Sequence, residues 1–248
     1  MTPQQQAFDE AEVQEVTTDD LENEARPQNF LSVHLGEHWA VVAKTGGGKT
    51  WFVIRGLLDY LRKMYPHVPV YIIDSTDDPD MEKLVPNHIL VEGNKAPDLL
   101  YSSHAPMIWK PRNAKVPKEY AKFFIRLNDE RKPQILIVDE VASITGEAET
   151  ELEPLLKQMR KHGGTVIVES QQVAKVEPTV FRQMTHFVQM RINAEVYDMA
   201  RARAYLGMNK EEHHVPSGEF GFFYRRTSGG DFPAREFRDY REFFGGLS

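Results

Sequence analysis

The sequence predicts an α/β fold with a mostly parallel central sheet flanked by helices. After residue 30, short β-rich runs alternate with helical stretches, the order produced by parallel strands joined through crossover helices. Two of those runs end in polar clusters: AKTGGGKT (43–50) follows HWAVV, and Asp139-Glu140 follows QILIV. Ligand sites of open parallel sheets lie at such carboxyl ends.

The strands expected in order are HWAVVA (38–43), VPVYIID (68–74), HILVE (88–92), APMIWK (105–110), QILIVDE (134–140), GTVIVES (164–170), THFVQMRI (185–192) and GEFGFFY (218–224). Helices are expected at 50–65, 117–131, 149–162 and 194–206, with a last short one in RDYREFFGGLS. In the first helix, Phe52, Leu57, Leu58 and Leu61 share a face at helical spacing, while Arg55, Arg62 and Lys63 lie elsewhere. Pro66 ends it, because proline lacks the amide that the next turn needs. The helix at 149–162 runs into Gly163-Gly164, where glycine accepts the left-handed stop conformation.

With 248 residues, 41% hydrophobic and 27% charged, the chain fits an ordinary globular domain with a real core. It has no cysteine, which excludes disulfides and thiolate metal sites. No apolar run is long enough to span a bilayer and the polar N-terminus does not read as a signal peptide, so a cytoplasmic location is expected. The formal charge of -7 comes from one end. Residues 1–28 hold eight acids against Arg26, and without them 29 acids face 29 bases. The expected organisation is therefore an acidic, disordered tail (1–28) and one folded domain (29–248). The overall acidity does not argue against a nucleic-acid partner for that domain.

A phosphate group is bound by backbone amides converging where side chains would obstruct, by a lysine, and by a hydroxyl on Mg²⁺. AKTGGGKT supplies all three: the loop Ala43, Lys44, Thr45, Gly46, Gly47 and Gly48, then Lys49 for the phosphates and Thr50 for the metal. The following helix adds its positive N-terminal end. The departure from G-x-x-x-x-G-K-[ST] is Ala43 in place of the first glycine. Some ninety residues on, Asp139 is placed to hold Mg²⁺ as a Walker B aspartate does, and Glu140 to polarise the attacking water as general base. No NKxD-like guanine reader is present. The paired carboxylates suit a hydrolase of ATP, with Mg²⁺, more than a small-molecule kinase.

A third signal lies in KHGGTVIVESQQVAKVEPTVFRQMTHFVQMRI (161–192). A basic helix end (Arg160-Lys161), glycines, an apolar strand, Ser170-Gln171, the stretch from Pro178 to Gln183 and another strand follow in that order. This arrangement resembles the FtsK–HerA superfamily of DNA-pumping ATPases over about residues 30–224, and within it the viral genome-packaging ATPases. The resemblance implies a RecA-like P-loop NTPase core, a homo-oligomeric ring (a hexamer, with a pentamer as the alternative) and sites between subunits. It implies Gln171 beside the γ-phosphate and a trans-acting arginine, with Arg160 in the family's position and Arg182 and Arg191 as fallbacks. The implied partners are double-stranded DNA and a capsid vertex or portal protein, in host cytoplasm or at a virion vertex.

A translocase contacts DNA through basic elements on backbone phosphates. The candidates are Lys110, Arg112, Lys115 and Lys118 in KPRNAKVPK (110–118), and Arg225-Arg226 before Ser228-Gly229-Gly230. Asp74, before STDDPD at the end of the second strand, faces the site side of the sheet; a tuning of the metal environment by these acids stands beside the favoured reading, a solvated loop. Two other uses of the same residues stand beside packaging: DNA export in conjugation, plasmid partition or filamentous-phage extrusion, and a nucleotide-dependent assembly scaffold that moves nothing.

Overall fold

The computed structural model describes residues 33–99, 105–112, 116–144, 146–192, 196–227 and 233–245. The acidic stretch 1–28, Lys115, the start of the expected 194–206 helix and Ser228-Gly229-Gly230 lie outside them.

Among the described residues, nine strands form one sheet. They are β1 (Trp39–Val42), β2 (Val70–Ile73), β3 (Ile89–Glu92), β4 (Met107–Lys110), β5 (Ile135–Val138), β6 (Thr165–Ser170), β7 (His186–Gln189), β8 (Phe222–Arg226) and β9 (Arg235–Phe237). Their spatial order is β3-β4-β2-β5-β6-β1-β7-β8-β9. The seven strands from β3 to β7 pair in parallel, and β8 and β9 add antiparallel strands at one edge. The inner strands β1, β2, β5 and β6 are buried along their whole length, which is why they read as apolar runs rather than as alternating ones.

The rod α1 comprises Lys49–Trp51, a π-helical Phe52–Leu58 and Asp59–Met64. The other helices are α2 (Pro79–Leu84), α3 (Pro117–Asp129), α4 (Glu147–Lys161), α5 (Pro178–Arg182), α6 (Val196–Leu206) and α7 (Tyr240–Phe243). On one face of the sheet, α3 and α4 bury Phe123, Phe124, Leu127, Leu152, Leu156 and Met159 against Ala40, Val42, Ile73, Leu136, Val138 and Val168. On α1, a Cβ at Gly56 would stand 2.6 Å from the Phe244 ring, so glycine leaves the room that this ring occupies. No helix among the described residues is long and apolar enough to cross a membrane.

All eight expected strands are present, but the last is displaced. It starts at Phe222 instead of residue 218 because the chain turns so tightly at Gly221 that a Cβ there would fall 1.8 Å from the Ser217 carbonyl oxygen. Arg225 and Arg226 consequently lie inside β8. Helices α2 and α5 and strand β9 were not expected. Both helices are too short to show a period, and each begins with proline at its first position.

Candidate active site

The sheet order places β6 between β1 and β5. The glycine loop leaves β1, Asp139-Glu140 leaves β5, and Ser170-Gln171 ends the strand between them, so three sequence motifs meet on one rim. The neighbouring ends of β2 and β7 contribute residues 74–78 and Arg191.

The loop is pinned on both sides. The Ala43 amide donates to the Ser170 carbonyl (3.1 Å) and the Lys44 amide to that of Arg191 (2.7 Å). A Cβ at Gly47 would lie 2.9 Å from the Ala43 methyl and 2.9 Å from the Lys44 carbonyl oxygen. The Ala43 methyl thus fills space that Gly47 leaves free, which explains how alanine replaces the first glycine of the phosphate pattern. Lys49 is buried at the head of α1, while Lys44, Thr45 and Gly46 are exposed.

Asp139 is buried, and burial, reinforced by the charges of Glu140 and Asp78, pushes its carboxyl pKa up against the opposing pull of Thr76 and Lys49. The Thr76 hydroxyl donates to its Oδ2, and Ser75 Oγ donates to its carbonyl at 2.6 Å. Thr50 Oγ1 donates to Asp78 Oδ2 at 2.9 Å, and the Asp78 amide donates to Asp74 Oδ1 at 3.0 Å. The 75–78 loop, expected to be solvated, therefore ties both candidate metal ligands to the end of β2. Sequence reading missed Thr76 and gave the acids of this loop, Asp78 among them, only as a less favoured influence on the metal environment. Their signal was a Ser/Thr/Asp-rich stretch directly after a buried parallel strand. Hydroxyl and carboxylate oxygens form a hard donor set suited to Mg²⁺.

Glu140 adopts a left-handed backbone (φ 52°), a conformation seldom taken by a non-glycine residue. Its Oε1 accepts from Ser170 Oγ (3.0 Å) and its Oε2 from the Gln171 amide (3.0 Å). The Gln171 side-chain oxygen in turn accepts from Thr45 Oγ1 of the glycine loop (2.8 Å). Candidate base, candidate glutamine and cradle are thus joined by consecutive hydrogen bonds. Glu169, one position earlier on β6, was not foreseen: it is fully buried with no hydrogen-bond partner on either oxygen. Burial, with the nearby Asp139 charge, raises its pKa well above the usual carboxylate range.

The basic candidates separate. Lys110 is buried and paired with Asp74 (3.4 Å), Asp77 (2.8 Å) and Glu82 (2.5 Å). Burial opposes its charge, but these acids outweigh burial and hold its pKa above the ordinary lysine range. It braces the loop behind the candidate metal ligands and is not open to a DNA phosphate, which corrects the sequence expectation. Lys110→Met is expected to cost about 3 kcal/mol, the low end for breaking a buried pair because Asp74 can take up a proton. Thermal unfolding measures that loss, and DNA affinity per folded molecule is expected to stay unchanged. Arg226 donates to Glu37 (2.5 Å), and Arg225 to the Tyr205 carbonyl (3.2 Å). The expected free basic pair after the last strand is instead two half-buried side chains engaged within the domain. Arg112 and Lys118 are exposed, and Lys115 lies outside the described residues.

Arg160 ends α4 just before β6 begins, on the rim opposite the cradle, with β6 between them spanning six residues, roughly 17 Å of strand. It is exposed and donates to the Gln183 carbonyl. Arg182, also exposed, ends α5 ahead of β7. Arg191 follows β7 beside its own cradle.

No family model and no curated protein sequence matches the chain. Solved structures do. B204, the DNA-packaging ATPase from Sulfolobus turreted icosahedral virus, superposes with a TM-score of 0.63 at 12% identity, covering 84% of this chain and 99% of that one. The genome-packaging NTPase B204 from Sulfolobus turreted icosahedral virus 2, in complex with ATP-gammaS, gives 0.61 at 13%, covering 84% and 99%. The pCW3 conjugation coupling protein TcpA, with ATPgS, gives 0.53 at 15%, covering 83% of this chain and 61% of that chain. The chain therefore has the mostly parallel α/β P-loop NTPase fold of the viral DNA-packaging ATPase B204, the architecture that its resemblance to the FtsK–HerA superfamily implied.

Proposed function

We propose that the chain is an ATP-hydrolysing motor that moves double-stranded DNA, serving to package a viral genome into a preformed capsid. The observation that carries the reading is the hydrogen-bonded series Thr45–Gln171–Glu140, which links the phosphate loop, an amide side chain and a carboxylate across neighbouring strand ends. The near-complete overlap with a packaging ATPase of similar size supports it.

In this reading the amides of residues 43–48 and Lys49 bind the triphosphate, and Glu140 takes the proton of the attacking water. Gln171, already anchored to Thr45, orients its amide toward the terminal phosphate. Thr50 and Asp139 would hold Mg²⁺, which when bound neutralises charge on the phosphate oxygens. The buried Asp139 keeps its carboxyl fixed by the Thr76 hydroxyl. Sites lie between subunits of a ring, a hexamer with a pentamer as the alternative, and a capsid vertex or portal protein is the docking partner, in host cytoplasm. Arg112, Lys118 and Lys115 are the residues proposed to meet DNA.

Hydrolysis should rise when duplex DNA is added, and DNA affinity should fall steeply with salt as phosphate contacts release counterions. Replacing Arg112 and Lys118 together should reduce the salt slope by about two. A flat response to DNA favours the non-translocating scaffold. The likeness to TcpA supports a second reading, DNA export in conjugation or its plasmid and phage counterparts. Encapsidation of added DNA by purified procapsids separates the two.

A further inference from the structure

Two residues after Gln171 the chain makes a short 3₁₀ turn, Val173–Lys175, and two side chains of a different element hold it. Asp198 and Arg201 lie three positions apart on α6, on one face of that helix. Asp198 is buried, and its Oδ1 accepts from the Ala174 amide at 2.6 Å. Arg201 Nη1 donates to the carbonyl oxygens of Ala174 (2.7 Å), Val176 (3.1 Å) and, at the longest reach, Val173 (3.4 Å). The Val173 and Val176 side chains are themselves buried, so the main chain between them needs partners. The turn's own bonds are long: the Lys175 amide is 3.3 Å from the Gln172 carbonyl and the Val176 amide 3.4 Å from that of Val173. Much of the turn's hold therefore comes from α6.

That helix has its own anchor, because Ala202 and Leu206 are fully buried in the core. The path from the turn to the site is short. The Gln172 amide donates to Ser170 Oγ at 3.1 Å, and Ser170 Oγ and the Gln171 amide meet the two oxygens of Glu140. Gln171 is thus held by Thr45 in front and by the α6-bound turn behind.

We propose that Asp198 and Arg201 are positioning residues for hydrolysis, fixing Gln171 through the 173–176 turn; the inference rests on the role given to Gln171 above. Both act on main-chain groups beyond the glutamine, so losing them leaves the phosphate loop in place and loosens the side chain aimed at the terminal phosphate. The signature is a fall in rate with nucleotide binding kept.

The test measures single-turnover ATP hydrolysis and equilibrium ATP binding on the full chain. Arg201→Met keeps the apolar stem and removes the donors. It should slow hydrolysis about 10–100-fold, the scale of a small misplacement, and leave ATP binding within about twofold. In a Gln171→Ala chain the same substitution should cost less than about twofold more, because the path is already cut. Asp198→Asn keeps an acceptor for the Ala174 amide and should retain most of the rate, whereas Asp198→Ala should behave like Arg201→Met. Should Arg201→Met fail to fold, Arg201→Lys replaces it, with a smaller loss that Gln171→Ala likewise removes. An undiminished rate, an equal loss with and without Gln171, or weakened ATP binding at an unchanged rate overturns the positioning role alone. Full hydrolysis by Gln171→Ala overturns the reading of Gln171 and this inference with it.

Discussion

Glu140→Gln should bind ATP within a few-fold of the parent chain and hydrolyse it about 10²–10⁴ times more slowly, the range for losing a general base. The carboxylate is placed for this work by its surroundings. A left-handed backbone turns Glu140 away from the direction of β5, and its two oxygens are met by Ser170 Oγ and the Gln171 amide. Asp139, the adjacent acid, is buried and bonded by Thr76 and so is a poorer candidate for taking a proton from water. Glutamine keeps the shape and one acceptor while losing the basicity. Ser170→Ala, which removes one of the two anchors and no base, serves as the comparison and should cost far less. Single-turnover hydrolysis beside equilibrium nucleotide binding separates the two, and undiminished turnover in Glu140→Gln would remove Glu140 as the base.

Arg160→Ala should lower hydrolysis by about 10³–10⁵, the effect of an arginine supplied to developing γ-phosphate charge, and should do so without reaching its own subunit's nucleotide. Arg160 sits beyond the start of β6, whereas Ser170 and Gln171 mark the site at that strand's other end. A residue so placed acts on a neighbour's site or on none. Its exposure and its hydrogen bond to the Gln183 carbonyl leave it free to change partners at an interface. Mixing Arg160→Ala chains with Glu140→Gln chains, each inactive alone, should restore partial turnover, because some interfaces then pair an intact arginine with an intact glutamate. Absence of rescue at every mixing ratio counts against the assignment. Arg191, by contrast, lies against its own cradle, so the same mixing with an Arg191 variant should give none.

The elements of the site that were legible in the sequence are those whose chemistry is written locally. Four apolar residues of β1 followed by glycines and Lys49-Thr50 specify a strand, a tight loop and a helix start from adjacent residues alone, and the run before Asp139-Glu140 is equally self-contained. Asp78 was given the weaker of two readings because its partner is a hydroxyl 28 residues away. Lys110 was misread because its partners Asp74, Asp77 and Glu82 arrive with the β2–β4 pairing, and a basic residue in a proline-bounded stretch looks solvated until that pairing is known. The Arg225-Arg226 pair followed from the misplaced start of β8.

By itself the sequence determined an alternating α/β chain, a glycine-rich loop between strand and helix and an acidic strand end, since periodicity, glycine placement and the polarity of strand termini depend on neighbours a few positions apart. Only the tertiary structure decided that β6 runs between the two motif-bearing strands, which charged groups are spent on one another, and that Phe220 and Tyr240 line one cavity with Gly48. Those outcomes depend on strand order, and crossover connections bring into contact groups that no local pattern links.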